Sequence, residues 1–265
     1  METGANNRNF IRILEILGEK TNSVLSEIGG IFLLFLKSFY YTFQKPFRVG
    51  LFLKQIEFIG VQSSFIVTLT GIFTGMVFAL QGAHAFKLFG AENLTGPSVG
   101  LSLARELGPV LTSLMVTGRA GSAMAAELGT MRVTEQIDAL YAMAINPVQY
   151  LVVPRMLAAL LMLPLLTALF NFLGIIGAYL LGVHVLGLNP ESFINDVIYL
   201  VDFKDLFVGL VKSIFFGMII SIVSCYKGFY ATGGAKGVGR AATEAVVISS
   251  VSILVSDYFL TAMMF

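Results

Sequence analysis

Long runs of apolar residues, separated by short polar segments, make up most of the chain. Val61–Ala85 and Met156–Val183 contain no Asp, Glu, Lys or Arg, and Leu206–Cys225 contains only Lys212. Each run is close to or above the roughly 20 residues with which an α-helix crosses a bilayer. Helices on the surface of soluble proteins keep a polar face instead. The pattern therefore predicts helices that span a membrane.

Five spans are predicted from these runs. They cover Val61–Ala85, Val99–Thr117, Met156–Val183, Leu206–Cys225 and Ala242–Met264. We therefore expect an all-α integral membrane protein with two regions. Residues 1–60 form a helical region at the cytoplasmic face or the membrane interface, and residues 61–265 form a five-span membrane domain.

The residues ahead of the first span follow a different pattern. Apolar and charged residues alternate at roughly helical spacing from Phe10 to Lys20, and Ile28–Phe43 is largely apolar apart from Lys37. A helix with a wide apolar face and basic edges lies in the plane of the membrane interface. We expect an N-terminal amphipathic interfacial helix here, and the alternative is an additional or re-entrant span.

The distribution of Lys and Arg orients the five spans, because loops rich in these residues stay in the cytoplasm. Most basic residues lie ahead of the first span, between the second and third spans, and between the fourth and fifth spans. The two remaining loops are poorer, with Lys87 in one and Lys204 in the other. The N-terminus is therefore expected in the cytoplasm and the C-terminus outside.

Composition agrees with a membrane protein and excludes several functions. Hydrophobic residues make up 56% of the chain and charged residues 12%, and the mean hydropathy is +0.84. The net charge of +1 gives no sign of a nucleic-acid partner. A single cysteine, Cys225, excludes a disulfide framework and a thiolate zinc site. His84 and His184 stand alone on separate segments, so no metal site is predicted.

The second predicted span contains two adjacent charged residues, Arg105 and Glu106, followed by Pro109. Charged residues inside a membrane span are rare and are commonly functional. A largely polar stripe continues from them at helical spacing. Its members are Ser102, Glu106, Pro109, Ser113 and Thr117. These residues indicate a polar wall of a cavity, and the alternative is that Arg105 and Glu106 pair with other helices to fix the packing.

A short helix is predicted between the second and third spans, over Thr134–Ala144, and it ends before Asn146-Pro147. Val133, Ile137, Leu140 and Ala144 are expected on one side, and Thr134, Glu135 and Asp138 on the other. A short amphipathic helix on the cytoplasmic side is suited to docking a soluble motor protein. A solvated surface helix is the alternative that the pattern leaves open.

Three segments resemble the MlaE/YrbE family of ABC transporter permeases. The first is Arg105-Glu-Leu-Gly-Pro109. The second is Gly118-Arg-Ala-Gly-Ser-Ala-Met-Ala-Ala-Glu-Leu-Gly-Thr-Met-Arg-Val-Thr-Glu-Gln-Ile-Asp-Ala-Leu140. The third comprises Asn146-Pro147 and Val153-Pro-Arg155. The resemblance covers nearly the whole chain, including the five spans and the N-terminal helix.

The resemblance implies a homodimeric permease in the bacterial inner membrane, with a periplasmic C-terminus. Its partners would be a dimer of cytoplasmic ABC ATPases and a ring of substrate-binding MCE-domain subunits. Its substrate would be phospholipid or a related lipid that moves between the inner and outer membranes. The chain would bind no cofactor itself, and ATP and Mg would bind to the ATPase.

The same resemblance assigns roles to individual residues. Arg105 and Glu106 would lie near the lipid cavity, and three aromatic residues would supply part of its wall. These are Phe78, Phe86 and Phe89. They could equally form an interfacial aromatic belt. The coupling helix that contacts the ATPase would lie within Glu127–Leu140. Its contact residues would be Glu127, Arg132, Thr134, Glu135, Gln136 and Asp138.

Two rival functions need different features. A membrane-embedded enzyme that modifies lipids needs a nucleophile, a base or a metal cluster, and the charged residues of the spans do not form such a set. These residues are Arg105, Glu106, Lys212, Glu244 and Asp257. A carrier or channel outside the ABC class would more commonly contain internal repeats, and no repeat is evident in the sequence.

Overall fold

The computed structural model describes residues 2–45 and 48–264, and every long regular element in these residues is a helix. The eight helices in this part of the chain are α1 (Glu2–Thr42), α2 (Val49–Lys87), α3 (Glu92–Val133), α4 (Gln136–Ala142), α5 (Val148–His184), α6 (Pro190–Leu200), α7 (Phe203–Phe229) and α8 (Gly234–Met264). The predicted all-α class is therefore confirmed.

Six helices of the described residues are long and apolar enough to cross a membrane. Five of them are α2, α3, α5, α7 and α8, and each contains one of the predicted spans. The sixth is Thr21–Thr42, the apolar half of α1. The helices are longer than the predicted spans, because polar residues beyond the bilayer continue the helical backbone. Helix α3 has 42 residues, or about 63 Å at 1.5 Å per residue.

Helix α2 also runs without a break across residues 60 and 61, where the sequence predicts a boundary between two regions. This helix begins at Val49, well ahead of the predicted start of the first span. The boundary is therefore not a break in the helical structure. The division into an N-terminal region and a permease domain stays a prediction.

Both ends of the apolar half of α1 contact the same end of the helix bundle. Glu27 forms an ion pair with Lys227, in the last turn of α7, at 2.6 Å. Gln149, in the first turn of α5, donates a hydrogen bond to the carbonyl of Gln44 at 2.9 Å. The first turn of α5 and the last turns of α7 share one hydrophobic cluster. The segment is therefore held to the bundle through the first turn of α5 and the last turn of α7.

The closest helix packing joins α2 to α5 through glycines. A Cβ atom built on Gly75 would lie 1.8 Å from the carbonyl oxygen of Gly174, and one built on Gly177 would lie 2.4 Å from that of Ile72. Buried small residues continue this contact at four-residue steps along α2. They are Gly71, Gly75, Ala79 and Ala83. Small residues drive helix association in lipid, because they let backbones approach closely.

The glycines of α3 at positions 118 and 121 make looser contacts than those between α2 and α5. A Cβ atom on Gly118 would have nothing within 4 Å, and one on Gly121 would meet the hydroxyl of Ser224 at 3.1 Å. Tighter contacts of α3 occur at Gly108, where a Cβ atom would lie 1.9 Å from the side-chain oxygen of Asn171 in α5, and at glycines of its neighbour α7. A Cβ atom on Gly209 would lie 2.0 Å from the carbonyl oxygen of Ala104.

Turns of π-helix interrupt three of the long helices. They occur at Glu57–Val61 in α2, at Leu103–Leu107 and Thr117–Gly121 in α3, and at Val148–Val152 in α5. A π-helical turn inserts an extra residue, shifts the side chains that follow and is frequent at functional sites. The first π turn of α3 contains both Arg105 and Glu106.

Two short helices connect the spans. Helix α4 forms at the predicted place, but it is shorter than predicted because residues with positive φ, Glu135 and Ala144, flank it. Of the four residues predicted on one side of this helix, Ile137 and Leu140 lie in α4 and are buried. Val133 and Ala144 lie outside α4 and are exposed.

Helix α6 was not predicted. Its N-cap residue, Asn189, accepts hydrogen bonds from the backbone N–H groups of Glu191 and Ser192, and Pro190 occupies the first helical position, where its missing N–H has no consequence. The aromatic ring of Phe193 is buried and anchors α6 against the long helices.

We predict that Gly75→Ala lowers the stability of the protein and that Gly50→Ala does not. Both positions lie in α2, but a Cβ atom on Gly50 meets nothing within 4 Å. The methyl group at position 75 must separate α2 from α5, which should lower the free energy of unfolding by about 1–3 kcal/mol. Thermal unfolding of the purified protein in detergent measures the difference. Equal melting temperatures for the two variants would contradict the glycine packing.

Candidate functional site

Charged side chains from three spans meet at the end of the bundle where α7 begins and α8 ends. Arg105 of α3 donates from its Nε and Nη2 atoms to Oδ1 of Asp205 in α7, each at 2.7 Å. The other carboxylate oxygen of Asp205 accepts the backbone N–H of Asp202 and caps α7. Asp205 therefore fixes both the start of α7 and the position of Arg105.

Lys212 occupies the centre of this group and is fully buried. Its ammonium lies 2.6 Å from Oε2 of Glu106 and 3.1 Å from Oδ1 of Asp257 in α8. It also donates to the hydroxyl of Thr261 at 2.7 Å. We call Arg105, Glu106, Asp205, Lys212, Asp257 and Thr261 the ion-pair network. It connects α3, α7 and α8.

A proline completes the surroundings of Lys212. The backbone carbonyl of Arg105 would normally accept the N–H of the residue at position 109, but Pro109 has no N–H to donate. The ammonium of Lys212 donates to this carbonyl at 3.1 Å. Because of Pro109 and the π turn, the carbonyl oxygen of Arg105 can accept a hydrogen bond from the buried ammonium of Lys212.

The network is open on one side in a single chain. The side chains of Arg105 and Glu106 are 34% and 37% exposed, whereas those of Asp205 and Lys212 are 3% and 0% exposed. Arg105 and Glu106 therefore pair with another helix, as the alternative interpretation expects. Both side chains also remain partly exposed and form a polar surface. Ser113 and Thr117 are fully buried, so the polar stripe of the second span does not extend this surface.

The three aromatic residues assigned to the cavity wall occupy different environments. Phe78 packs against the main hydrophobic cluster of the bundle. Phe86 is partly buried near the end of α2, and Phe89 lies in the loop after α2 with 83% of its surface exposed. The three aromatic rings therefore lie at different depths near one end of the bundle and do not form a cluster.

The predicted coupling residues lie at the opposite end of the bundle, around α4. Thr134, Glu135 and Gln136 are exposed. Arg132 and Asp138 form an ion pair at 2.6 Å, and both remain accessible.

Glu127 differs from the other predicted coupling residues. It pairs with Arg155 of α5 at 2.8 Å, and that arginine is almost completely buried. Glu127 therefore holds α3 to α5, while about half of its side chain, 52%, stays exposed.

Four residues of the network were not among the site residues predicted from the sequence: Asp205, Lys212, Asp257 and Thr261. Lys212 and Asp257 carry a detectable signal, because each is an isolated charge in an apolar span and such charges commonly pair with one another. Asp205 and Thr261 lie near helix ends, where polar residues are ordinary. Only the packing of α7 and α8 against α3 reveals their role.

The chemistry of this arrangement is that of a charged surface. Among the described residues, no group of three or more His, Cys, Asp or Glu side chains could hold a metal ion. The network offers two cations, three carboxylates and a hydroxyl, all engaged in ion pairs or hydrogen bonds. Such a surface can bind a charged head group when a charge of the head group replaces one member of an ion pair.

Comparison with protein families decides the class of the chain. The family model described as "Permease MlaE" matches residues 52–263. This match includes α2 to α8, the ion-pair network and α4. The chain belongs to the MlaE permease family.

Three relatives support this assignment. A probable ABC transporter permease protein of Rickettsia felis is 43% identical over 97% of this chain and 99% of its own length. A probable ABC transporter permease protein of Synechocystis is 47% identical over 80% of this chain and 81% of its own length. The intermembrane phospholipid transport system permease protein MlaE of Haemophilus influenzae is 40% identical over 81% of this chain and 83% of its own length.

Family membership confirms three expectations from the sequence. The chain resembles MlaE permeases as predicted, it is a multi-pass membrane protein, and it is a permease subunit of an ABC transporter and not itself an enzyme. The rival functions of a lipid-modifying enzyme and of a carrier outside the ABC class are thereby excluded.

We predict that Lys212→Met strongly destabilises the permease. The substitution removes the cation between Glu106 and Asp257 and leaves two carboxylates without their partner. Breaking a buried ion pair in this way lowers stability by about 3–5 kcal/mol. Thermal unfolding in detergent measures the loss.

Two further variants control this experiment. Lys204→Met removes an exposed lysine from the first turn of α7 and should leave the melting temperature unchanged. Adding Glu106→Gln and Asp257→Asn to Lys212→Met should restore much of the stability, because no unpaired charge remains. A melting temperature for Lys212→Met equal to that of Lys204→Met would show that the network does not stabilise the bundle.

Proposed function

We propose that this permease works as a homodimer that moves phospholipid between the inner and outer membranes of a bacterium, driven by a separate ABC ATPase. One observation carries the proposal. Arg105 and Glu106 are about one third exposed on a single chain, within a helix long enough to cross the membrane. Charged groups at membrane depth face a bundle interior or a water-filled cavity.

A second copy of the chain supplies the missing side of that cavity. The open face of the network involves α3, and the neighbouring helix α8 also exposes large apolar residues along its length. These include Val247, Val251, Val255, Tyr258 and Met263. Two such faces opposed across a twofold axis would enclose a space with polar groups near one end and apolar walls elsewhere. Closed two-fold symmetry is the commonest form of homo-oligomer.

The enclosed space matches the two parts of a phospholipid. The guanidinium of Arg105 suits the phosphate of a head group, because it offers several donors in a planar fork. The apolar side chains of α8 suit the acyl chains, and Phe78 borders the same end of α2. The name of the Haemophilus influenzae relative, an intermembrane phospholipid transport system permease protein, supports phospholipid as the substrate.

Helix α4 is proposed as the coupling helix that contacts the ATPase. Its inner side is anchored by Ile137 and Leu140, which are buried against α3 and α5. Its outer side presents exposed polar residues together with the ring of Tyr141, which is 60% exposed. A rigidly anchored helix with a solvent-facing surface can receive a push from a soluble partner. ATP and Mg would bind to that partner.

The proposed topology has five spans, with α1 at the cytoplasmic interface and the C-terminus in the periplasm. Basic residues are concentrated at the end of the bundle that carries α4, which supports a cytoplasmic location for that end. The contacts of Glu27 and Gln44 with this same end support an interfacial position for the apolar half of α1. A ring of MCE-domain subunits would then meet the opposite, periplasmic end.

We predict that the double variant Arg105→Gln with Asp205→Asn folds but transports poorly. The two amides keep a hydrogen bond between α3 and α7, and the asparagine oxygen still accepts the N–H of Asp202. The head group loses its charge-assisted partner, so phospholipid transfer between proteoliposomes should fall about tenfold or more. Native mass spectrometry and thermal unfolding check that the dimer and the fold are intact.

The single variant Arg105→Gln is the matched control. It leaves Asp205 buried without its cation and should lower the melting temperature, whereas the double variant should not. Transport at the wild-type rate by the stable double variant would rule out a head-group role for Arg105 and leave only a role in packing.

We predict that Glu135→Lys weakens the association with the ATPase. Glu135 is exposed at the start of α4, so a change of charge there alters the docking surface without disturbing the core. Co-purification of the ATPase and the rate of ATP hydrolysis by the complex should each fall about tenfold, the usual consequence of losing one good polar contact. Glu191→Lys, an exposed acidic residue on α6, is the control. Equal ATPase binding by both variants would show that α4 is only a solvated surface.

A further inference from the structure

A groove runs between α1, α7 and α8 at the end of the bundle opposite the ion-pair network. Its outer part is a polar cavity of about 400 Å³, and its inner part is an apolar cavity of about 570 Å³. Both volumes fall within the range of roughly 300–1,000 Å³ that is typical of small-molecule sites. Neither cavity contains a residue of the network.

The polar cavity contains two cations and two carboxylates that balance in charge. The ammonium of Lys227 lies 2.6 Å from Glu27 and 2.8 Å from Glu244. Arg240 lies 2.7 Å from Glu244, and its side chain is 81% exposed. The guanidinium therefore has donors left for a further anionic group. The phenol rings of Tyr226 and Tyr230 also line this cavity.

The apolar cavity continues the groove along the same three helices. In α1 the polar cavity ends at Glu27 and the apolar one begins at Ile28. In α7 and α8 the change occurs within about one helical turn, the apolar cavity being lined by Val223 and by Ile248. The bulky side chains of Phe32, Phe35 and Met218 form much of the remaining wall. The groove is thus divided sharply into a charged end and an apolar end.

We propose that this groove binds one phospholipid with a zwitterionic, ammonium-bearing head group, taken from the leaflet at this end of the bundle. The head-group phosphate would meet Arg240 and Lys227, and the ammonium would meet Glu27 and Glu244. An acyl chain would fill the apolar cavity beside Phe35. Lipid is the solvent of a membrane protein, and the order of polar and apolar surface in the groove matches that of a lipid entering from the interface.

The balance of charge selects the head group. An anionic head group such as that of phosphatidylglycerol brings a phosphate but no cation for Glu27 and Glu244, whereas a zwitterion satisfies both signs. The rings of Tyr226 and Tyr230 line the polar cavity. Tyrosine is enriched at the depth of the lipid head groups, so these rings agree with a head group in this cavity. Quaternary ammonium groups have no N–H to donate to the carboxylates, so a primary ammonium fits this site best.

This site is separate from the proposed transport cavity. Its polar part lies at the ends of α7 and α8 that are remote from Arg105 and Glu106, and its apolar part extends along α8 as far as Ser256, without including a residue of the network. The proposal therefore holds or fails independently of which substrate the permease transports. A lipid in this groove would link α1 to the bundle from the side.

Photo-crosslinking tests the proposal directly. The full chain is placed in nanodiscs that contain equal parts of phosphatidylethanolamine, phosphatidylcholine and phosphatidylglycerol, and one lipid at a time carries a photoreactive group. Phosphatidylethanolamine with the photoreactive group at the glycerol end of an acyl chain should label peptides with Glu27 and Tyr226, and the form labelled further along the acyl chain should label peptides with Phe35 and Met218. Preferential labelling by phosphatidylglycerol or phosphatidylcholine would overturn the zwitterionic, primary-ammonium assignment.

Two matched pairs of variants locate the site. Ser252→Trp fills the apolar cavity and should remove most of the labelling, whereas Leu161→Trp, on an exposed face of α5 outside the groove, should retain it. Arg240→Gln should lower the labelling about tenfold through loss of a charge-assisted hydrogen bond, whereas Lys236→Gln should not. Equal labelling within each pair would show that the lipid contacts are those of the general bilayer. A cross-link between the groove of one copy and the protein chain of a second copy would also overturn the proposal, because the second copy and not a lipid would then cover the groove.

Discussion

The buried ammonium of Lys212 is the contact on which the arrangement of α3, α7 and α8 depends. Lipid offers no hydrogen-bond partner, so a polar group at membrane depth must find one within the protein. Lys212 meets oxygens from Glu106, Asp257 and Thr261 and from the backbone of α3. Three helices that pack with little hydrophobic preference for one another in lipid are thereby held in one register.

Irregular backbone in these helices is satisfied in the same way. Carbonyl oxygens of the π turns accept hydrogen bonds from long cationic side chains. Arg119 of α3 donates to the carbonyl of Phe58 in the π turn of α2 and so joins these two helices. Arg155 donates to the carbonyl of Leu151 within α5 and pairs with Glu127 of α3. The basic residues of the spans therefore use backbone oxygens as well as carboxylates as partners.

Sequence patterns were sufficient for the spans but not for the contacts between them. Charge-free runs of about 20 residues leave few alternatives in a bilayer, so each predicted span lies inside an observed helix. Arg105 and Glu106 could be recognised because isolated charges are conspicuous in such runs. Their partners could not be recognised, because the pairing depends on how α7 and α8 are rotated about their own axes. For α7 the close contact of Gly209 with Ala104 fixes this rotation, and that contact is visible only in the folded structure. Helix α6 was missed although Asn189-Pro190 is a recognisable helix start.

The length of α3 has a mechanical consequence. One helix carries α4 next to its C-terminal end and the paired charges near its other end, and no loop lies between them. From Val133 to Arg105 the rise is about 42 Å at 1.5 Å per residue. A displacement delivered to α4, as the proposed coupling requires, would reach the paired charges as a tilt or translation of this one helix. The π turn at Thr117–Gly121 is the point at which that helix can flex.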